Sequence, residues 1–122
     1  MKILLVDDDA FLRDMYAVKF GELKHEVDVA ENAEMALAKL REQDYDAVLL
    51  DMIMPGMTGV ELLTRIKSEK IGGNPICIML SNQSEETDRT AAVAAGAVGY
   101  IIKAERIPSE VVEEVLKCVG KK

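Results

Sequence analysis

Side chains able to hold a cation or carry a phosphoryl group stand directly after short apolar segments of this chain. The set consists of Asp7, Asp8, Asp9, Asp51, Ser81, Asn82 and Lys103. Clustered carboxylates repel one another and raise each other's pKa values unless a cation lies among them. Oxygen ligands of this kind suit Mg²⁺, which keeps several waters and takes one or two carboxylates together with phosphate oxygens.

An aspartate in such a cluster can be more than a metal ligand, because a carboxylate can act as a covalent acceptor. The ammonium group of Lys103 can neutralise an oxyanion at the same place. The hydroxyl of Ser81 can donate a hydrogen bond to that oxyanion. If these side chains meet, their chemistry predicts a phosphoryl site whose nucleophile is a carboxylate.

Taken singly, each of these residues has a simpler interpretation. An aspartate at a strand end is most often a turn residue or a helix N-cap, and Asp9 is predicted to cap the helix that follows it. A single lysine is most often a solvated charge, so the occurrence of all these groups at successive strand ends is what favours a shared site. His25 is predicted to be a surface residue. Met52, Met54 and Met57 are predicted to pack, because thioethers prefer softer ions than Mg²⁺.

The elements that must position these side chains are five short apolar segments separated by helical patterns. The segments are residues 2–6, 26–30, 47–50, 76–80 and 99–102. Three of them do not alternate between apolar and polar residues, which is typical of strands buried on both faces of a parallel sheet. Helices are predicted at 10–23, around 33–40 and 62–66, at 85–95, and from about Pro108 onward. Five β–α repeats predict an open α/β sheet, and ligands bind beyond the carboxyl ends of its strands.

Length and composition limit the possible functions. A chain of 122 residues predicts one domain spanning 1–122, with no linker or second domain. The net charge of −7 argues against direct binding of nucleic acid or of an anionic membrane. No apolar stretch is long enough to span a membrane and the N-terminus is too short for a signal peptide, so a cytoplasmic location is expected. Cys77 and Cys118 are predicted to be reduced thiols.

The motifs that contain these residues resemble the receiver domain of two-component response regulators over essentially the whole chain. They are VDDD (6–9), LLDMIMPGMTG (49–59), IMLSN (78–82) and GAVGYIIKA (96–104). The resemblance implies a flavodoxin-like (βα)5 doubly wound parallel sheet with strand order 2-1-3-4-5. It also implies a partner that donates the phosphoryl group, either a sensor histidine kinase or a phosphotransfer protein. Output is expected through a downstream effector protein or a domain outside this chain.

The same resemblance implies roles for individual residues. Asp51 matches the aspartate that accepts the phosphoryl group. Asp8 matches the direct Mg²⁺ ligand, Asp7 the acid that holds the metal through water, and the backbone carbonyl of Ile53 the remaining protein ligand. Lys103 matches the lysine that pairs first with the acceptor and then with the phosphoryl oxygen.

Two further positions match the residues that respond to phosphorylation. Ser81 matches the switch hydroxyl, and Tyr100 matches the switch aromatic that turns inward as the hydroxyl moves toward the phosphate. Added phosphate charge is then expected to change the surface formed by the fourth helix, fifth strand and fifth helix.

The chain departs from the family pattern at positions that bear on geometry and lifetime. Ala104 stands where proline usually follows the lysine, so a trans Lys103–Ala104 peptide is expected, since a cis bond before alanine costs about 3–4 kcal/mol. Asn82 stands where a small residue is more usual. Together with Ile53, whose branched side chain offers no hydrogen bond to a water, it is predicted to restrict the approach of water to the phosphorylated aspartate, and Gln83 is predicted to compensate in part. A slowly hydrolysing phosphoaspartate is therefore expected.

Two other functions compete with this interpretation. A phosphatase of the haloacid dehalogenase type also uses an aspartate nucleophile with Mg²⁺, but it needs a second acid two positions later, where this chain has Ile53. The protein is therefore expected to be a phosphoacceptor and not a turnover enzyme. The alternative left open is a receiver-like docking module that acts without phosphate, which the loss of an acid or the lysine would favour.

Overall fold

The computed structural model describes residues 1–81, 86–103 and 107–120. Within these residues, five strands alternate with five helices along the chain. The strands are β1 (Lys2–Val6), β2 (Glu26–Ala30), β3 (Ala47–Asp51), β4 (Ile76–Ser81) and β5 (Gly99–Ile102). The helices are α1 (Ala10–Glu22), α2 (Ala33–Glu42), α3 (Gly59–Glu69), α4 (Glu86–Ala95) and α5 (Pro108–Gly120).

The strands form one parallel sheet in the order β2-β1-β3-β4-β5, which confirms the predicted flavodoxin-like topology. Every residue of β3 and β4 is buried, as is β1 after its first residue, so the non-alternating segments are indeed the central strands. The register pairs Val6 with Leu50 and Ser81 with Ile102. The residues that follow these strands therefore leave the sheet at the same edge.

Two apolar cores lie on opposite faces of the sheet, because successive strand residues point to opposite sides. One core joins Leu4 and Val6 of β1 to apolar residues of α2, α3 and α4. The other joins Ile3 and Leu5 to apolar residues of α1 and α5, including the buried Tyr16. The loops that lead from the strand ends into the helices are thus anchored on both faces.

Polar side chains fix the starts of the first three helices. The Asp9 carboxylate accepts hydrogen bonds from the backbone N–H groups of Phe11 (3.0 Å) and Leu12 (3.2 Å), which confirms the predicted cap of α1. Asn32 caps α2 in the same way, and α3 begins with a capping box at Thr58. These caps hold the loops that carry the acidic residues close to the sheet.

Several minor predictions have clear outcomes. Met52 and Met54 are buried and Met57 packs against the same core, so all three are packing residues. Neither cysteine forms a disulfide bond. His25, predicted to be a surface residue, is half-buried in the turn before β2, because its ring packs against Phe20 and its Nδ1 lies 3.1 Å from the N-terminal amine. No described helix combines the length and apolar character that crossing a membrane requires.

Candidate functional site

Three carboxylates converge at the carboxyl edge of the sheet. Asp7 and Asp8 follow β1, and Asp51 is the last residue of β3, the neighbouring strand. One oxygen of each carboxylate lies within 4.8 Å of the other two. Asp7 is fully buried and Asp51 is 7% exposed, whereas Asp8 is exposed. Such an all-oxygen cluster, buried on one side and open on the other, suits a hard divalent cation.

Lys103 joins two of these acids. Its Nζ lies 3.2 Å from Asp51 Oδ1 and 3.3 Å from Asp7 Oδ2, and its side chain is 7% exposed. Burial opposes the charge of the ammonium, but the two carboxylates outweigh burial and raise the pKa of Lys103. The lysine therefore stays protonated and supplies one positive charge to the three carboxylates.

The single positive charge of Lys103 does not neutralise the negative charge of the three carboxylates. Burial, the charge of Asp7 and a hydrogen bond with Asp8 together raise the pKa of Asp51 to about 7, although Lys103 acts in the opposite direction. The folded chain thus holds an aspartate whose ionised form is unfavourable without a further cation. A divalent ion among the carboxylates would favour the ionised, nucleophilic form.

The acids and the lysine open onto a cavity of about 270 Å³ at the end of the sheet. It is lined by Asp7, Asp8, Asp9, Leu12, Asp51, Ile53 and Lys103. The Ile53 side chain is 58% exposed, two residues after Asp51, and stands at the entrance as an apolar group. The predicted site residues from β1, β3 and the end of β5 are therefore brought together.

The two residues predicted to respond to phosphorylation are not among the residues described as lining this cavity. Ser81 is the last residue of β4 and is 1% exposed. Tyr100 in β5 is half-buried, and the guanidinium carbon of Arg89 lies 5.0 Å from the centre of its ring. Their roles remain predictions. Asn82, Gln83 and Ala104 lie outside the described residues, so the expectations for them do too.

Sequence reasoning missed two residues that contact or surround the site. Arg13 Nη1 donates a hydrogen bond of 2.9 Å to the backbone carbonyl of Asp7. Tyr16 is 2% exposed, and burial raises the pKa of its hydroxyl while the nearby charge of Lys103 lowers it. The available signal was helical spacing, since Arg13 stands four residues after the Asp9 cap and so faces back toward the strand end.

Comparison with known proteins places this architecture in a family. Residues 3–115 match the response regulator receiver domain. The chain is 40% identical to the transcriptional regulatory protein ResD of Bacillus subtilis over 102 residues, which are 84% of this chain and 41% of ResD. It is 36% identical to the chemotaxis protein CheY of Halobacterium salinarum over 108 residues, 88% of each chain.

A solved structure of a response regulator has a similar fold. The response regulator protein TrrA from Thermotoga maritima, in complex with Mg²⁺ and BeF, is 33% identical, with a TM-score of 0.81 over 96% of this chain and 97% of that one. Fold and site therefore define an α/β protein with an acidic cluster at the carboxyl edge of a parallel sheet. Within that class, the chain belongs to the response regulator receiver domains of two-component signal transduction systems.

The relatives differ in length. The chain spans 41% of ResD and 45% of the response regulator PhoP of Pseudomonas aeruginosa, but 88% of the Halobacterium salinarum CheY. A receiver domain thus occurs both as part of longer regulators and as most of a short protein. The cytoplasmic location and the domain limits of 1–122 stay predictions.

Proposed function

We propose that this receiver domain is a phosphorylation-activated switch in which Asp51 accepts a phosphoryl group from a sensor histidine kinase or a phosphotransfer protein. The observation that carries the proposal is the arrangement around Asp51. Its carboxylate ends a fully buried strand, lies among two other acids, and has a buried ammonium 3.2 Å away. This is an acceptor held in place next to a fixed positive charge.

The acidic cluster fits Mg²⁺, because its donors are three carboxylate oxygens with sulfur and nitrogen ligands absent from the cluster as described. Asp7, Asp8 and Asp51 would hold the ion, and the backbone carbonyl of Ile53 is the further predicted ligand. When bound, Mg²⁺ supplies positive charge that offsets the negative charge of the carboxylates and of the phosphoryl oxygens. The structure of the relative TrrA contains Mg²⁺ together with BeF.

The chain's own residues perform the transfer. A carboxylate oxygen of Asp51 forms the new bond to phosphorus as the phosphorus–nitrogen bond to the donor's imidazole breaks, and the imidazole then takes up a proton. Lys103 keeps its proton and can donate a hydrogen bond to a phosphoryl oxygen from its place beside Asp51. The buried strands behind Asp51 exclude water from that side.

The protein is proposed to act as a phosphoacceptor and not as a turnover enzyme, since the side chain at position 53 has no acid or base function.

Output is proposed to depend on Ser81, at the end of β4, and on Tyr100, within β5. Rearrangement of these two side chains would alter the α4–β5–α5 face that an effector binds. A docking module without phosphate chemistry is the weaker proposal, because the three acids lie together and the lysine contacts two of them, the acceptor included.

The test of the proposal is the mass of the intact protein after incubation with acetyl phosphate and Mg²⁺. We expect the addition of one phosphoryl group, lost on treatment with hydroxylamine as an acyl phosphate would be. Asp51→Asn removes the nucleophile and keeps the shape, so it is expected to stay unmodified. A wild-type protein that gains no phosphoryl group, or an Asp51→Asn protein that gains one, contradicts the proposal.

Mg²⁺ is expected to stabilise the folded protein, because it relieves repulsion among carboxylates that come together only on folding. Saturating Mg²⁺ is expected to raise the free energy of unfolding by about 1–3 kcal/mol, by mass action. Thermal melts in chelator and in millimolar Mg²⁺ measure this effect. Asp8→Ala is expected to abolish the shift, whereas Asp14→Ala, on the exposed side of α1, is expected to retain it.

Phe11 is expected to matter for phosphoryl transfer from a protein donor. It is 72% exposed at the start of α1, beside the cavity-lining residues Asp9 and Leu12. With Met15 and Val18 it lines an apolar groove that a partner reaching Asp51 would cover. Phe11→Ala is expected to slow transfer from a phosphorylated kinase at least about tenfold, because a minority of interface side chains each contribute more than about 1 kcal/mol to binding.

Two comparisons decide whether Phe11 acts through docking. Phosphorylation by acetyl phosphate is expected to proceed at the wild-type rate in Phe11→Ala, because the small donor needs no docking surface. Val93→Ala removes another exposed apolar side chain, 58% exposed on α4, and is expected to leave transfer from the kinase unchanged. Equal slowing with both donors would mean that Phe11 shapes the site itself.

A further inference from the structure

Arg13 makes an unusual contact with the acidic site. It lies in the second turn of α1, and its Nη1 reaches back to donate a 2.9 Å hydrogen bond to the backbone carbonyl of Asp7. Its Nε is buried and has no hydrogen-bond partner among the described residues. A buried N–H without a partner is unfavourable. The hydrogen bond from Nη1 to the Asp7 carbonyl is therefore the contact that holds this guanidinium beside the acidic site.

The contact completes a set that holds every polar group of Asp7. The backbone N–H of Asp7 donates to the carbonyl of Ala30 (3.2 Å). Its Oδ1 accepts from the backbone N–H of Asp9 (2.9 Å), and its Oδ2 lies 3.3 Å from Lys103 Nζ. The carbonyl is held by Arg13. Asp7 is thus held by groups from β2, from the loop that follows Asp7, from the residue after β5 and from α1.

Fixing the Asp7 carbonyl also fixes the start of Asp8. The carbonyl of one residue and the amide of the next belong to one planar peptide group, so they can only turn together. The Asp8 side chain is exposed, and one of its carboxylate oxygens lies within 4.8 Å of an oxygen of Asp51, which is another acid. A like-charged neighbour cannot hold a carboxylate in place once both are ionised. The direction of Asp8 therefore depends on its backbone.

Arg13 serves this purpose without occupying the acids. It donates to a carbonyl, so the carboxylate lone pairs remain available to a cation. Its positive charge, on the other hand, opposes the binding of a second cation nearby. Orientation and charge thus predict opposite effects of removing Arg13 on the affinity for Mg²⁺.

We propose that Arg13 is a positioning residue of the metal site, which orients Asp8 by fixing the Asp7–Asp8 peptide plane. The inference rests on the proposed function, in which Asp7, Asp8 and Asp51 hold Mg²⁺. We expect the effect of orientation to outweigh the effect of charge, because the loss of a group that holds a metal ligand in place typically weakens metal binding.

Arg13→Met tests the proposal, because it removes the donor and the charge while keeping most of the side-chain volume. We expect the dissociation constant for Mg²⁺ to rise about tenfold, the lower end of the range for outer-shell partners. The measurement is a Mg²⁺ titration at constant ionic strength, followed by the amide resonances of Asp8 and Asp9. In chelator, before any metal is added, the same resonances of Arg13→Met are expected to be displaced from their wild-type positions.

Arg65→Met is the matched control, since it removes the same charge from α3, where the guanidinium pairs with Glu69. Its Mg²⁺ affinity is expected to equal that of the wild type. Arg13→Lys keeps the charge with a shorter reach and a single nitrogen, so its affinity is expected to be intermediate. If Arg13→Met does not fold in chelator, Arg13→Lys decides: weaker binding supports the proposal, and wild-type affinity overturns it.

The outcomes separate this proposal from the one on which it rests. A folded Arg13→Met protein that binds Mg²⁺ as tightly as the wild type, or more tightly, overturns the role of Arg13 and leaves the metal site intact. A wild-type protein that shows no Mg²⁺-dependent change at the Asp8 and Asp9 amides overturns the metal site itself, and the role of Arg13 with it.

Discussion

Replacing Lys103 with methionine is expected to lower the free energy of unfolding by about 3–5 kcal/mol in the absence of divalent cations. The ammonium lies between the carboxylates of Asp7 and Asp51, both of which belong to buried residues, so its loss leaves both buried without their shared counter-ion. Removing one partner of a buried ion pair is costly because the remaining charge keeps its desolvation penalty. Acceptance of the phosphoryl group is expected to be lost as well.

The loss is expected to depend on pH and on metal. Since the pKa of Asp51 is already raised to about 7 with the lysine present, removing the lysine raises it further. A carboxyl group whose pKa is higher in the folded state destabilises the fold increasingly as the pH rises, so the loss is smallest at acidic pH. Mg²⁺ is expected to restore part of the stability at neutral pH by supplying the missing positive charge.

Denaturant titrations of wild type and Lys103→Met, each in chelator and in excess Mg²⁺, measure these effects. Lys117→Met removes an exposed lysine from α5 and is expected to change stability by less than about 0.5 kcal/mol. Equal losses in the two lysine variants would show that the ammonium beside Asp51 is not what balances the acids.

Ile53→Asn is expected to shorten the lifetime of the phosphorylated protein by about tenfold. Hydrolysis requires a water in line with the bond between phosphorus and the Asp51 oxygen. The Ile53 side chain stands exposed at the entrance of the same cavity and offers no hydrogen bond to hold such a water. An asparagine amide at this place could orient the water, and correct orientation of a nucleophile is worth a large factor in rate.

The decay is measured by phosphorylating each protein, removing the donor and following the loss of phosphate in excess Mg²⁺. Ile53→Val keeps an apolar branched side chain and is expected to decay at nearly the wild-type rate. If the asparagine variant is no faster than the valine variant, the side chain at position 53 does not control the lifetime.

Much of the fold follows from local physical signals in the sequence. The central strands are continuous apolar segments, and the helices begin at caps such as Asp9 and at Pro108. The limits of α1 and α4 agree to within a residue, with α1 ending at Glu22 and α4 beginning at Glu86. The helices α2 and α3 are longer than the apolar patterns that predicted them around 33–40 and 62–66, and α3 extends three residues further at each end. The strand order could not be predicted in this way, because the periodicity of apolar residues does not show which strands are neighbours. It was predicted from the family resemblance.

The convergence of acids could be predicted because parallel strands end at one edge, which brings Asp7 and Asp51 together once β1 and β3 are neighbours. The contacts themselves could not be predicted. Lys103 bridges two carboxylates, and Arg13 reaches a backbone carbonyl. These depend on how side chains pack between helix and sheet, which spacing along the chain does not encode.

The two edges of the sheet differ in their tendency to pair with another chain. The outer strand β2 carries the charged residues Glu26 and Asp28, which oppose the addition of a further strand. The other outer strand, β5, has the sequence GYII and no charge, and is protected mainly by its length of four residues. In variants with a reduced folded population, such as Lys103→Met, self-association is therefore expected to begin at β5. The net charge of −7 slows this aggregation at low ionic strength, so light scattering of such a variant is expected to increase as salt is added.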